Sequence, residues 1–196
     1  MSIRARPVLG VIASLLVIVA ALFIPLPRSP VLDTHIVTSA SIQRAPSTVF
    51  DFVTTPVHWP AWHPSSLAVS GQTDHSLDVG EQVIEDFRVA GRRGQVVWTV
   101  ITREYPVKWS IAGTIDGRAA GTVTYTLMPE ARGTRFVREF TYGAPSLWFA
   151  FVNAIVLRRK IQSESDEAVE RLRSLLENAP SGRSGPVAED QRSRIQ

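Results

Sequence analysis

No cysteine occurs anywhere in the 196-residue chain. That absence excludes a disulfide framework, a thiolate zinc site, an iron–sulfur cluster and a cysteine nucleophile. Recognisable catalytic and cofactor signatures are missing as well: there is no G-x-S-x-G, no Walker loop, no G-x-G-x-x-G after a strand and no H-E-x-x-H. Nothing therefore calls for a cofactor. His58 and His63 are five residues apart with Pro60 between them, and no neighbouring carboxylate completes a ligand set, so no metal site is expected.

Concentrated charge is also lacking. The net charge is +3 and the isoelectric point is near 9.8, but residues 31–177 hold 15 basic and 16 acidic side chains, a net of −1. The excess of base lies at the ends of the chain. Without a concentrated positive field in the folded region, nucleic acid is not expected as a partner.

Charged residues are absent from Val8 to Ile24, a run preceded by Arg4 and Arg6 and followed by Pro25, Pro27 and Arg28. Residues 1–30 read as an uncleaved transmembrane anchor contacting the membrane through residues 8–24, with a cleavable signal peptide as the alternative. The flanking arginines place the N-terminus in the cytoplasm, making a single-pass inner-membrane protein with an extracytoplasmic domain. Residues 178–196, rich in Pro, Gly and Ser, read as a disordered tail. Residues 31–177 remain as one folded domain.

Within that domain, Asp33 to Ile42 reads as a strand, and Ala45 to Val53 as a short helix with Pro46 near its start. The proline-dense stretch Pro56 to Pro64 reads as a second helical turn or an ordered loop. Five further strands follow: Glu81 to Val89, Gln95 to Arg103, Val107 to Thr114, Gly121 to Met128 and Thr134 to Tyr142. The breaks between them, including Gly91-Arg92-Arg93-Gly94 and Asp116-Gly117, are too short for crossovers, so the sheet is an antiparallel meander. Ser146 to Glu177 lacks Pro and Gly and reads as a long helix with a bend near Ser163-Glu164-Ser165. Its apolar first part, Leu147 to Leu157, is either enclosed by the sheet or dips into a membrane interface ahead of Arg158-Arg159-Lys160.

The segment Ala45-Pro46-Ser47-Thr48-Val49-Phe50-Asp51-Phe52-Val53 is followed by W-P-A-W-H-P at Trp59 to Pro64, Gly80-Glu81, the Gly133-Thr134 turn and the long helix ending at Leu176-Glu177. In this combination the chain resembles the START-like, or Bet v 1-like (SRPBCC), superfamily, with its polyketide cyclase/dehydrase and lipid-transport family. The resemblance implies an α+β helix-grip fold, in which a curved antiparallel β-sheet wraps a long C-terminal α-helix around an elongated apolar cavity. It also implies a hydrophobic small molecule or lipid as partner.

Inward strand positions would line that cavity. Alternation places Phe136, Arg138, Phe140 and Tyr142 on one face of the last strand, and Glu85 on the same face as Val83 and Phe87. Arg138 is the anomaly among aromatics. Either it pairs with Glu85 and orients a ligand's acid, hydroxyl or headgroup, or it sits at a sheet end with its stem snorkelling to water. Trp98, Trp109 and Tyr125 are candidates for the ligand wall or for plain core. Arg138, Glu85 and His58 are the weak candidates for catalysis. Three functions remain open: a membrane-anchored binding protein for a lipid or isoprenoid-like molecule, a polyketide cyclase or dehydratase, and an interaction module with a vestigial cavity.

Overall fold

Short breaks between strand-like runs force antiparallel pairing, and the computed structural model, which describes residues 5–27 and 29–179, shows that arrangement. After helix α1 (Ala5–Leu22) come β1 (Asp33–Ile42), α2 (Pro46–Thr54) and α3 (Trp59–Trp62). Six strands follow: β2 (Ser66–Gly71), β3 (Gln82–Val89), β4 (Arg92–Glu104), β5 (Lys108–Ile115), β6 (Arg118–Glu130) and β7 (Gly133–Gly143). The chain then enters α4 (Leu147–Val152), a π-helical turn at Asn153–Leu157, and α5 (Arg158–Asn178). The seven strands are ordered β1-β7-β6-β5-β4-β3-β2, antiparallel throughout. The segment holding α2 and α3 thus carries the chain from one sheet edge to the other. With α5 lying against β1 and α3, this is the expected α+β helix-grip arrangement.

Several expectations shift in detail. The first hairpin turns at Ala90 and Gly91, both at positive φ, so Arg92, Arg93 and Gly94 belong to β4. Strand β2 forms although its sequence is not singled out by alternation. The C-terminal helix is unbroken at Ser163-Glu164-Ser165. Those residues are continuous α-helix and tie α5 to its surroundings: Ser65 Oγ donates to Glu164 at 2.9 Å, and Thr38 Oγ1 donates to Ser165 at 3.0 Å. The pitch changes instead at the π-turn, which directs the Asn153 amide inward, where it accepts from Tyr142 Oη at 2.7 Å and donates to Thr34 at 2.8 Å. A π-turn inserts an extra residue, so it re-aims a side chain without breaking the helix.

The expected transmembrane helix is not shown. Among the described residues no helix is long and apolar enough to cross a membrane. Helix α1 rises about 27 Å, short of the roughly 30 Å hydrocarbon core, and it includes Arg6 and Pro7. Residues 1–4, Arg28 and the expected tail beyond residue 179 lie outside the described residues.

The concave face of the sheet is solidly packed at the end nearer α2 and α3. Phe50, Trp62, Trp109, Phe136 and Leu172 are fully buried there. Trp109 stacks on Tyr125 at 5.5 Å, Trp62 meets Tyr125 at 6.2 Å, and Tyr125 meets Phe136 at 5.2 Å. The elongated cavity is therefore filled at this end, because aromatic side chains of this volume meet across it. Toward α4 the same face is looser: Phe87, Ile115 and Phe140 are only partly buried. Glycines thin the sheet where rings lie flat on it, so that a Cβ on Gly113 would meet the Trp98 indole at 2.6 Å and one on Gly94 the Phe87 ring at 2.7 Å.

Candidate functional site

Between the packed end and the looser end, polar side chains from six elements gather on the concave face. Arg138 stands in register with Tyr125 on one side and Thr38 on the other, so the alternation of β7 turns it inward, and it is 6% exposed. It does not snorkel. Its Nη1 donates to Ser165 Oγ of α5 at 2.9 Å, and its guanidinium lies over the Phe140 ring at 5.7 Å.

The expected Arg138–Glu85 ion pair does not form. Glu85 accepts from Trp98 Nε1 at 2.7 Å instead, with the Ser66 hydroxyl close by but without a well-formed bond. Burial pushes the Glu85 carboxyl up, opposed in part by Ser66, Trp98 and the Arg138 charge. Burial likewise pushes the Tyr125 phenol up to about 12, with Arg138 opposing and Glu85 reinforcing. His63, at the end of α3, has its imidazole held well below its ordinary range, first by burial and then by the Arg138 charge. The residue as a whole is half-buried, while its Nδ1 is sealed from solvent.

Four polar atoms of this neighbourhood are enclosed and have no hydrogen-bond partner: Trp62 Nε1, His63 Nδ1, Ser66 Oγ and Arg138 Nε. Buried polar groups are nearly always paired in native interiors, and each orphan costs about 1–3 kcal/mol. The cluster thus holds donors, including a fixed positive charge, beside one carboxyl and one neutral imidazole. It can bind an oxygen-bearing group, and burial there favours the protonated form of Glu85.

The other sequence candidates distribute as follows. Trp109, Tyr125 and Phe136 belong to the packed aromatic end; Trp98 anchors Glu85; Phe140 and Tyr142 line the looser end, with rings 5.1 Å apart. His58 is not part of the cluster. Its ring stacks on Phe52 at 4.4 Å, and its pKa is lowered by burial alone. His63, Ser66 and Ser165 are the members that sequence reasoning missed. Two surface clefts of about 530 and 500 Å³ flank α5, and neither is lined by a residue of the cluster.

The imidazole gives a pH test. Native His63 stays neutral where the unfolded chain, with an ordinary value of 6.5, takes up a proton. The unfolded state then binds more protons, so stability falls as pH drops below about 6.5, by up to about 1.4 kcal/mol per unit. Glu85 acts in the opposite sense, because its raised pKa makes its cost grow as pH rises from its ordinary value of 4.5. Urea unfolding of His63→Gln between pH 6.5 and 5.5 should show a flatter loss of stability than the parent; an unchanged slope would remove His63 from the buried cluster.

Comparison with known proteins gives a consistent placement. A family model described as "Polyketide cyclase / dehydrase and lipid transport" matches residues 33–177. No curated protein matches. Among solved structures, a Thermus thermophilus protein superposes with a TM-score of 0.60 at 12% identity, covering 76% of this chain and all of its own. A Mesorhizobium loti protein reaches a TM-score of 0.54 at 19% identity, covering 76% of this chain and all of its own. A protein from the dynemicin biosynthetic locus reaches 0.54 at 16% identity, over 74% of this chain and 47% of its own. At such identities the likeness is one of fold.

Proposed function

The chain belongs to the polyketide cyclase/dehydrase and lipid transport family, and from that premise we propose that its domain binds an apolar small molecule, lipid or isoprenoid-like, with an oxygen-bearing head. The observation that carries this is the set of enclosed, unpartnered polar atoms around Arg138. An acidic or carbonyl oxygen there would accept from the guanidinium in a charge-assisted bond. The apolar body would lie against Phe87, Ile115 and Phe140, the partly buried side chains of the looser end. A pocket with few polar groups at one end of an apolar wall is the usual form of such a site.

Titration of the full chain with cis-parinaric acid, a fluorescent fatty acid, tests this. Saturable binding near one equivalent is expected. Absence of saturable binding would contradict it.

Attachment to a membrane by α1 belongs to the same proposal. Val11, Leu15, Leu16, Val17, Ile18 and Val19 are exposed on α1 rather than packed on the domain, which favours burial in lipid. The shortfall in length is a few Å, within what local bilayer thinning accommodates. With arginines ahead of the apolar run, the domain would sit on the extracytoplasmic side of the inner membrane.

A second function, proton-transfer catalysis on a ketide-like substrate, is favoured by one observation: the same neighbourhood pushes Glu85 up and His63 down. A carboxyl pushed up is suited to donating a proton and a neutral imidazole to accepting one. Turnover lost in His63→Gln with binding retained would select it over simple carriage.

A further inference from the structure

The first part of the C-terminal helix is not enclosed by the sheet. Leu147, Trp148, Phe151, Ile155 and Val156 are 47, 44, 58, 53 and 56% exposed, and α4 has no buried residue. Trp148 and Phe151 stack at 6.0 Å, and Ile155 follows Phe151 by four residues, so these side chains share one face of the helix. Monomeric proteins seldom leave large apolar side chains grouped this way without a partner.

Two features say what covers it. The first is continuity with the apolar N-terminal segment: Phe23 meets Trp148 at 5.8 Å, and Leu26 N donates to Pro145 O at 3.0 Å. Whatever medium receives α1 also reaches α4. The second is charge. Arg158, Arg159 and Lys160 follow immediately and are exposed. Lys160 is 3.8 Å from Glu164, while no ion pair engages Arg158 or Arg159 among the described residues.

We propose that α4 and the π-turn form a second, interfacial contact with an anionic lipid bilayer, the apolar side chains entering the acyl boundary and Arg158 and Arg159 meeting the headgroups. Amphipathic segments bind bilayers by this combination of buried apolar area and electrostatic attraction. The inference rests on membrane attachment by α1. It gives the ligand a route, because a line of rings leads inward from the patch: Phe149 to Tyr142 at 6.5 Å, then Tyr142 to Phe140 at 5.1 Å, then the Arg138 guanidinium. The mouth of the site would open against lipid.

The lack of cysteine makes the test clean, since a single introduced thiol carries any label. Phe151→Cys and, as a second position, Ile155→Cys in the full chain are labelled with nitrobenzoxadiazole and reconstituted into phosphatidylcholine vesicles with or without 30% phosphatidylglycerol, both carrying 5-doxyl lipid as quencher. Arg132→Cys, in the exposed β6–β7 turn, is the aqueous control. Blue-shifted emission and at least threefold stronger quenching than the control are expected at both positions with phosphatidylglycerol, and weaker quenching without it. Labels as aqueous as the control overturn the proposal, and so does quenching that ignores lipid charge. Shielding from iodide but not from doxyl, with a doubled particle mass, overturns it in favour of a second copy of the chain. Parinarate binding that persists alongside aqueous labels leaves the ligand site standing and removes only the docking.

Discussion

Replacing Arg138 with methionine should make the protein more stable, not less. The guanidinium is buried, has no carboxylate in salt-bridge contact, and is held by a bond to Ser165, the neighbouring Tyr125 hydroxyl and a ring contact with Phe140. Removing a poorly compensated buried charge in favour of an apolar side chain of similar volume gains about 1–3 kcal/mol. For a chain of this size that raises the Tm by about 2–10 °C, measurable by thermal unfolding. Leaving Ser165 without its donor costs little, because Thr38 still bonds it. A Tm lower than the parent's would instead make Arg138 a structural strut.

The opposite extreme is Gly133→Ala. Gly133 opens β7 at φ 136°, a backbone region that side chains avoid, and a Cβ there would lie 2.1 Å from the carbonyl oxygen of Ile42. Neither the turn nor β1 can yield cheaply. Ile42 pairs with Thr134, and Thr134 Oγ1 donates to Arg44 O at 2.7 Å, so the β6–β7 turn, β1 and the start of the α2 connection share one tight corner. Strain plus collision with backbone predicts a loss of about 3–5 kcal/mol, a large fraction of an ordinary domain's stability of about 5–15 kcal/mol. Denaturant unfolding measures it; a loss under about 1 kcal/mol would mean that the corner relaxes freely.

These two positions show what sequence discloses. Gly133-Thr134 is visible as a turn, and Arg138 as a charge on an otherwise aromatic face, because strand alternation and turn chemistry are local and periodic. For the same reason the meander from β3 to β7 follows from the short breaks between its strands, whereas the pairing of β1 with β7 joins distant parts of the chain and does not. What Arg138 touches is not local. Ser165 lies on the far helix and His63 at the end of α3, and no spacing links either to β7. Alternation puts Glu85 on the face of Val83, but its hydrogen-bond partner is the Trp98 indole of the neighbouring strand, a cross-strand contact that no spacing along β3 discloses. The composition of the Leu147 to Leu157 run does not distinguish enclosure from exposure; in the structure the π-turn bonds Asn153 to Tyr142 and Thr34 and leaves Leu147, Trp148, Phe151, Ile155 and Val156 exposed. The filling of one end of the cavity was likewise beyond sequence. Trp109 and Tyr125 would look the same on the wall of a void as in a packed core, and only the ring separations distinguish them.

The central claim is that Arg138 is the head-binding end of an apolar ligand site. The most direct measurement is the parinarate titration run side by side on the parent chain and on Arg138→Met, with folding of both verified by thermal unfolding. Saturation near one equivalent in the parent and affinity weakened at least tenfold in the variant is the predicted result. Equal affinity in both, or no saturation in the parent, would contradict the account.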